Sequence, residues 1–304
     1  MKTRLKHIIE YLLLRVLGVW VRILSYRAVL TFGCLIAGCI FHIFRFRAKE
    51  ARRRIKEVLC DTVTDRDVKR IAWISWRNLC FNAIEILRMS KRTDIDSGRI
   101  TFSGISVIKK HLESGRGAII SSIHMGNWEM GVVSVLLQGI PIFSIARRQK
   151  NVLTDSYLNK MRMHISKMEV LYSNDAIIRN VIRRLKNGKV LAIMPDLRSK
   201  TLALPIHYLG KQANIAAGMA TFARQTNVPI FPAIATRKGW TQHHIQFLDP
   251  IFADLSVDKQ EDIMRLTQTV MSLFDKRVRE QPDQYFWFNK RWVLEPFYFD
   301  KSSF

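Results

Sequence analysis

From residue 99 onward the sequence alternates between two periods. Short runs rich in β-branched residues at 117–123, 140–145, 189–194, 229–235 and 244–248 are separated by helix-period patterns at 130–137, 154–167, 175–186 and 216–226, and a long helical pattern closes the series at 258–280. Two parallel strands need a crossover between them, and a helix is the usual one. The alternation therefore predicts an α/β fold: a mixed, largely parallel sheet flanked by helices. Open sheets of this kind place their sites outside the carboxyl ends of the strands.

The front of the chain follows a different rule. Residues 28–44 are a run of 17 without Asp, Glu, Lys or Arg. As a helix the run reaches roughly 25 Å, slightly less than the roughly 30 Å hydrocarbon layer of a bilayer. Arg27 precedes it, and Arg45, Arg47, Lys49 and Arg52-Arg53-Arg54 follow. Before it, residues 11–26 read as a helix whose leucines and Trp20 surround Arg15 and Arg22, seven apart and so on one face. We read 1–60 as an N-terminal membrane-associated helical segment and an anchor that spans or inserts, and 61–304 as the α/β domain. Residues 61–89 form a further helix, opened by a capping box at Thr64-Asp65-Arg66-Asp67.

Net charge narrows the partners. The chain carries +24 over 304 residues, and the first sixty hold thirteen Lys and Arg against three Glu. Such a field favours anions. Charge set beside the most apolar segment suits an anionic membrane surface better than a nucleic-acid groove. No zinc-finger, RNP or basic-zipper pattern is present, so no nucleic-acid partner is expected. Cys34, Cys39, Cys60 and Cys80 contain no Cys-x-x-Cys pair, which argues against a disulfide scaffold or a zinc ribbon.

The sharpest chemical signal is His124-Met125-Gly126-Asn127-Trp128-Glu129, directly after the apolar run at 117–120. His124 falls where a strand ends. In one unbroken helix, five residues turn through about 500°, leaving His124 and Glu129 roughly 140° apart. They converge only if Gly126-Asn127 bends the chain and a helix begins at Trp128. Glu129 then lies in the first turn, favoured by the helix dipole, and the amides of that turn can face an oxyanion. A histidine oriented by a carboxylate is a general base. Neither a Gly-x-Ser-x-Gly elbow nor a zinc-binding spacing accompanies it, so the base serves an external hydroxyl and no metal is expected. Asn127 and Asp196 are candidate orienting or substrate-positioning residues; Asp196 ends the strand at 189–194 and rivals Glu129 for the imidazole. His243-His244 reads as a strand-edge pair.

This block resembles the His-x4-Asp/Glu motif of bacterial lysophospholipid-type acyltransferases, in the branch of the late lipid A (lauroyl/myristoyl) acyltransferases. Further matches follow in the expected order: Arg162 after the second strand, the Pro195-Asp196 turn, a segment from Leu204 closed by Gly210, the stretch from Ala216 to Pro232, and an aromatic-basic close at Trp287-Phe288-Asn289-Lys290-Arg291-Trp292. Leu197, Tyr208-Leu209 and Asn289 depart from the common pattern, and none touches His124 or Glu129.

The resemblance implies an acyltransferase domain over 61–304. It implies transfer of a fatty acyl chain from an acyl carrier protein or coenzyme A thioester, as co-substrate rather than cofactor, to a hydroxyl of a lipid A precursor. The setting implied is the cell inner membrane, with the active site on its cytoplasmic face. His124 would be the base and Glu129 its first candidate partner. Arg147, Arg148, Arg162, Arg198 and Arg291 would meet the anionic lipid or the acidic carrier. Two alternatives stand beside this reading: the same chemistry on a phosphatidylinositol mannoside, glycerophospholipid or aminolipid, and a non-catalytic membrane-surface binder of the same fold.

Overall fold

A computed structural model of the chain describes residues 2–89, 98–146, 150–166, 168–172, 176–199 and 203–295. Helix α1 (Lys2–Ile23) and helix α2 (Tyr26–Gly38) are parted by Ser25, whose backbone is extended and whose hydroxyl accepts from the Ala28 N–H. The first helix begins well before residue 11, where the leucine pattern starts. α2 runs on through a π-helical turn, Cys39–Ile43. Together Tyr26–Ile43 make one helix long and apolar enough to cross a membrane.

One stripe of that helix is buried: Val29, Leu30, Gly33, Ala37 and Phe41. Its partner is α4 (Asp65–Arg88), through Phe81, Ile84 and Leu87. Gly33 sets the distance, since a Cβ there would lie 2.2 Å from Ile84 Cδ1. Phe32, Leu35, Ile36 and Ile43 stay exposed, an apolar surface available to lipid. α3 (Ala48–Leu59) also packs on α4. The capping box that opens α4 forms as the sequence predicts, with Thr64 and Asp67 each satisfying the other's backbone N–H.

The α/β expectation holds. Seven strands form the main sheet: β1 (Ile100–Ser103), β2 (Ala118–Ser121), β3 (Ile142–Ala146), β4 (Glu169–Tyr172), β5 (Val190–Ile193), β8 (Ile230–Lys238) and β9 (Gln242–Phe247). Their order is β1-β9-β8-β2-β5-β3-β4, parallel throughout except where β9 turns back on β8. The crossovers and outer layers are α5 (Ile105–Leu112), α6 (Trp128–Leu137), α7 (Val152–Ser166), α8 (Ile177–Lys186), α9 (Gly218–Thr226) and α10 (Lys259–Glu280). β6 (Ala203–Tyr208) and β7 (Lys211–Ala216) form a separate hairpin.

That hairpin is absent from the sequence reading, which starts a helix at 216. Its turn is Leu209-Gly210, with both φ values positive, 54° and 81°. Such turns usually carry Asn-Gly or Asp-Gly, so a leucine hides the signal. β1 and β4, four residues each, are also absent from the pattern of runs. The largest buried cluster joins residues of α3 and α4 (Ile55, Val58, Ile71, Trp76) to the sheet, α9 and α10; the core therefore runs through residue 60 without a break.

Gly33→Leu forces a side chain into the α2–α4 contact. The expected cost is about 1–3 kcal/mol, read as a lower midpoint in thermal unfolding, with earlier proteolytic release of α1 and α2.

Candidate active site

The site is built by strand register. β2 and β5 are parallel neighbours, with Ser121 opposite Ile193. Each chain then runs three residues past its strand, one to His124 and the other to Asp196. Asp196 uses both oxygens: Oδ2 accepts the His124 backbone N–H at 2.9 Å, and Oδ1 lies 2.8 Å from the ring Nδ1. The carboxylate is fully buried and the imidazole is partly exposed. An ionised carboxylate only accepts, so Nδ1 carries the proton and Nε2 is left as the basic nitrogen. The motif spacing offers Glu129 first for the orienting role and Asp196 as its rival; the hydrogen bond to the ring is made by Asp196, because the parallel register delivers it there.

Glu129 still reaches the same place, through the bend. Gly126 adopts φ +58°, and a Cβ on it would sit 2.3 Å from the Ala235 carbonyl oxygen. Only glycine lets the backbone pass so close. Asn127 is the N-cap of α6, its Oδ1 accepting from Met130 N at 3.0 Å. The C-terminal segment pins the same turn: Gly126 N donates to Gln284 O at 2.9 Å, and Phe286 N donates to His124 O at 2.8 Å. Trp128 meets the His124 ring edge-on at 5.0 Å between centroids and stacks with Phe286.

These surroundings set the charge of the ring. Burial alone would pull the His124 pKa down, but the Asp196 carboxylate outweighs it. Glu129 adds to the upward pull, Arg291 opposes it, and the result lies above 6.5. Behind Asp196 stand Tyr208 and Tyr285, whose hydroxyls burial and nearby negative charge push well above 10.

The remaining candidates divide. Arg198 and Arg291 clasp each other beside the Asp196 turn: Arg198 N donates to Arg291 O at 3.1 Å, and the Arg291 guanidinium donates to Arg198 O. Arg147, Arg148 and the side chain of Arg162 lie outside the described residues. Among the described residues, no group of three or more His, Cys, Asp or Glu is arranged to hold a metal ion. His243 and His244 face opposite ways. His244 bonds Thr101 and Ser103, and His243 is buried against Glu85.

Glu85 itself escaped the sequence reading. It forms a fully buried ion pair with Arg237. Burial would raise the Glu85 carboxyl, but Arg237 holds it well below the usual range. Breaking such a pair by removing one partner costs about 3–5 kcal/mol. An acid 152 positions from its base leaves no local pattern to find.

His124 and Glu129 open onto a cavity of about 330 Å³. Its sheet wall follows the pleat, with residues two apart sharing a face: Ile120 and Ser122, Ala233 and Ala235, Ile245 and Phe247. Gly131, Val132 and Val135 of α6 form the opposite wall. Alanines at 192, 233 and 235, facing Gly131, leave the space open. Most of the lining is apolar, and Ser122, His124 and Glu129 supply polar groups.

A basic nitrogen beside a slot for an oily chain is the layout of an acyltransferase. Comparison with known proteins supports that class and narrows it. The chain belongs to the bacterial lipid A biosynthesis acyltransferase family, whose model matches residues 1–293. A curated relative, the phosphatidylinositol mannoside acyltransferase of Mycolicibacterium smegmatis, is 21% identical over 189 residues. That match spans 60% of this chain and 59% of the relative.

Because Asp196 stabilises the imidazolium, the pairing supports the fold fully below pH ~6.5, and this contribution is lost as pH rises through the raised His124 value. In an NMR titration of ring-labelled histidine the His124 inflection is expected above 6.5, and in Asp196→Asn, with the carboxylate that raises it gone, it is expected to fall.

Proposed function

We propose that the protein transfers a fatty acyl chain from a carrier thioester to a hydroxyl of a lipid A precursor at the inner membrane, with His124 as general base. The acyl chain lies in the cavity between the sheet and α6, its thioester carbonyl beside His124. Nε2 takes the proton of the lipid hydroxyl as the oxygen attacks that carbonyl. The ester C–O bond forms, the C–S bond breaks, and the imidazolium returns its proton to the departing thiolate. Asp196 holds the ring tautomer and stabilises the imidazolium. Glu129 adds negative charge on the cavity side. The amides of the first turn of α6 face the developing oxyanion.

The observation that carries this reading is the His124–Asp196 pair at the wall of an apolar cavity, in a chain of this family. The exposed apolar stripe of α2 and the charge of +24 support a cytoplasmic-face membrane setting, an acidic acyl carrier protein as donor and a phosphorylated acceptor. Arg198 and Arg291 suit the acceptor's phosphates.

The relative's name favours a second reading, in which the acceptor is a mannosylated lipid. Purified protein incubated with acyl carrier thioester and each acceptor separates the two. Mass spectrometry is expected to find one added acyl chain on the lipid A precursor; acylation of the mannoside alone overturns the acceptor assignment, and no acylation of either overturns the enzyme reading.

The cavity makes its own prediction. In Gly131→Leu a side chain enters the slot from α6, toward Ala235 and Ile245. Transfer of the longest chain accepted by the wild type should fall by about tenfold, since each methylene excluded from an apolar pocket is worth about 1–3 kcal/mol. Shorter acyl donors should retain their rate.

A further inference from the structure

Glu85 is a fully buried carboxylate that takes no part in the chemistry above. Four residues from four elements converge on it. The Tyr26 hydroxyl, at the start of α2, donates to Oε1 at 2.5 Å. The Arg237 guanidinium, on β8, donates to Oε1 at 2.7 Å and to Oε2 at 2.5 Å. His243 Nε2, on β9, lies 3.2 Å from Oε1. The Asn127 side-chain amide, at the N-cap of α6, donates to Oε2 at 2.6 Å. One turn earlier on α4, Asn82 Nδ2 donates to the Gly126 carbonyl at 2.6 Å, while its Oδ1 accepts from Arg237 at 2.7 Å.

The pattern is specific in what it grips. Asn82 and Glu85 are three apart, on one face of α4, and they hold consecutive residues, Gly126 and Asn127. These are the two residues that form the bend between His124 and Glu129. Fixing the Asn127 amide on Glu85 also leaves its carbonyl oxygen aimed at Met130 N, so a single side chain ties the cap of α6 to the core. A buried carboxylate with four donors has no cheap alternative arrangement, and the bend inherits that rigidity. Tyr26 adds α2, the membrane-facing helix, to the same anchor.

We propose that Glu85 is a positioning residue for the active site: through Asn127, and with Asn82 through Gly126, it holds the bend that sets His124 on Asp196 and brings Glu129 to the cavity. The proposal rests on the acyltransferase reading of His124 for its kinetic consequence, though not for its structural one.

Asn127→Ser is the decisive variant. Serine caps a helix about as well as asparagine but has no amide to reach Glu85. Glu85→Gln removes the charge while keeping the shape. Val270→Ala, a buried truncation in α10 far along the chain from the bend, serves as a destabilised control. In folded Asn127→Ser, kcat is expected to fall at least tenfold with KM for the acyl donor within about twofold. The His124 inflection in the histidine NMR titration should also move down toward 6.5, as the ring loosens from Asp196. Val270→Ala should lower the thermal midpoint and leave kcat per folded molecule and the His124 inflection unchanged. A folded Asn127→Ser with wild-type kcat and an unmoved inflection overturns the proposal, as does an equal loss of kcat in Val270→Ala. Should Glu85→Gln fail to fold, Asn127→Ser decides alone. If the wild type transfers no acyl group, the enzyme reading fails, and the titration still decides whether Glu85 positions His124.

Discussion

The site depends on the parallel pairing of β2 with β5. A parallel ladder carries its two strands forward in step, so residues equally far past a matched pair emerge side by side. Ser121 opposite Ile193 therefore commits the chain to place His124 beside Asp196. The 2.8 Å contact between them follows from backbone hydrogen bonding several residues away. Moving the register by one would turn the two side chains to opposite faces of the sheet and leave an acid buried without its partner.

Around that pair the molecule divides its work by polarity. The carboxyl edge of the sheet carries the titratable groups. The sheet face beneath α6 carries alanines and α6 itself a glycine, and the space they leave suits an alkyl chain. The first two helices carry an apolar stripe that no part of the described protein covers. Glu85 lies where these regions meet, bonded to the start of α2, to the end of β8 and the start of β9, and to the bend before α6. A charged group in such a position costs stability unless each of its lone pairs is used, and Glu85 uses them on the elements that must keep their places relative to His124.

Much of this was legible in the sequence. The alternation of periods located five strands and the helices between them, the capping box located the start of α4, and Gly126-Asn127 marked the bend that both the φ of +58° and the N-cap show. What stayed hidden depended on pairing. A choice between Glu129 and Asp196 for the imidazole could not be made from spacing, because the answer is a register between strands 72 positions apart. Glu85 and Arg237 were hidden for the same reason. The β6–β7 hairpin was hidden by a leucine in a left-handed turn, whose strain is met by burying that side chain at 1% exposure. Local rules find elements and caps; they do not find partners brought together by topology.

The central claim is that the Nε2 of His124 removes the proton of the accepting hydroxyl. Its most direct test is the rate of acyl-thioester transfer to lipid by purified His124→Ala against wild type, at saturating donor and on protein shown to be folded. The account predicts a loss of about 10²–10⁴-fold, with acyl donor still bound. Transfer at the wild-type rate in His124→Ala would contradict it.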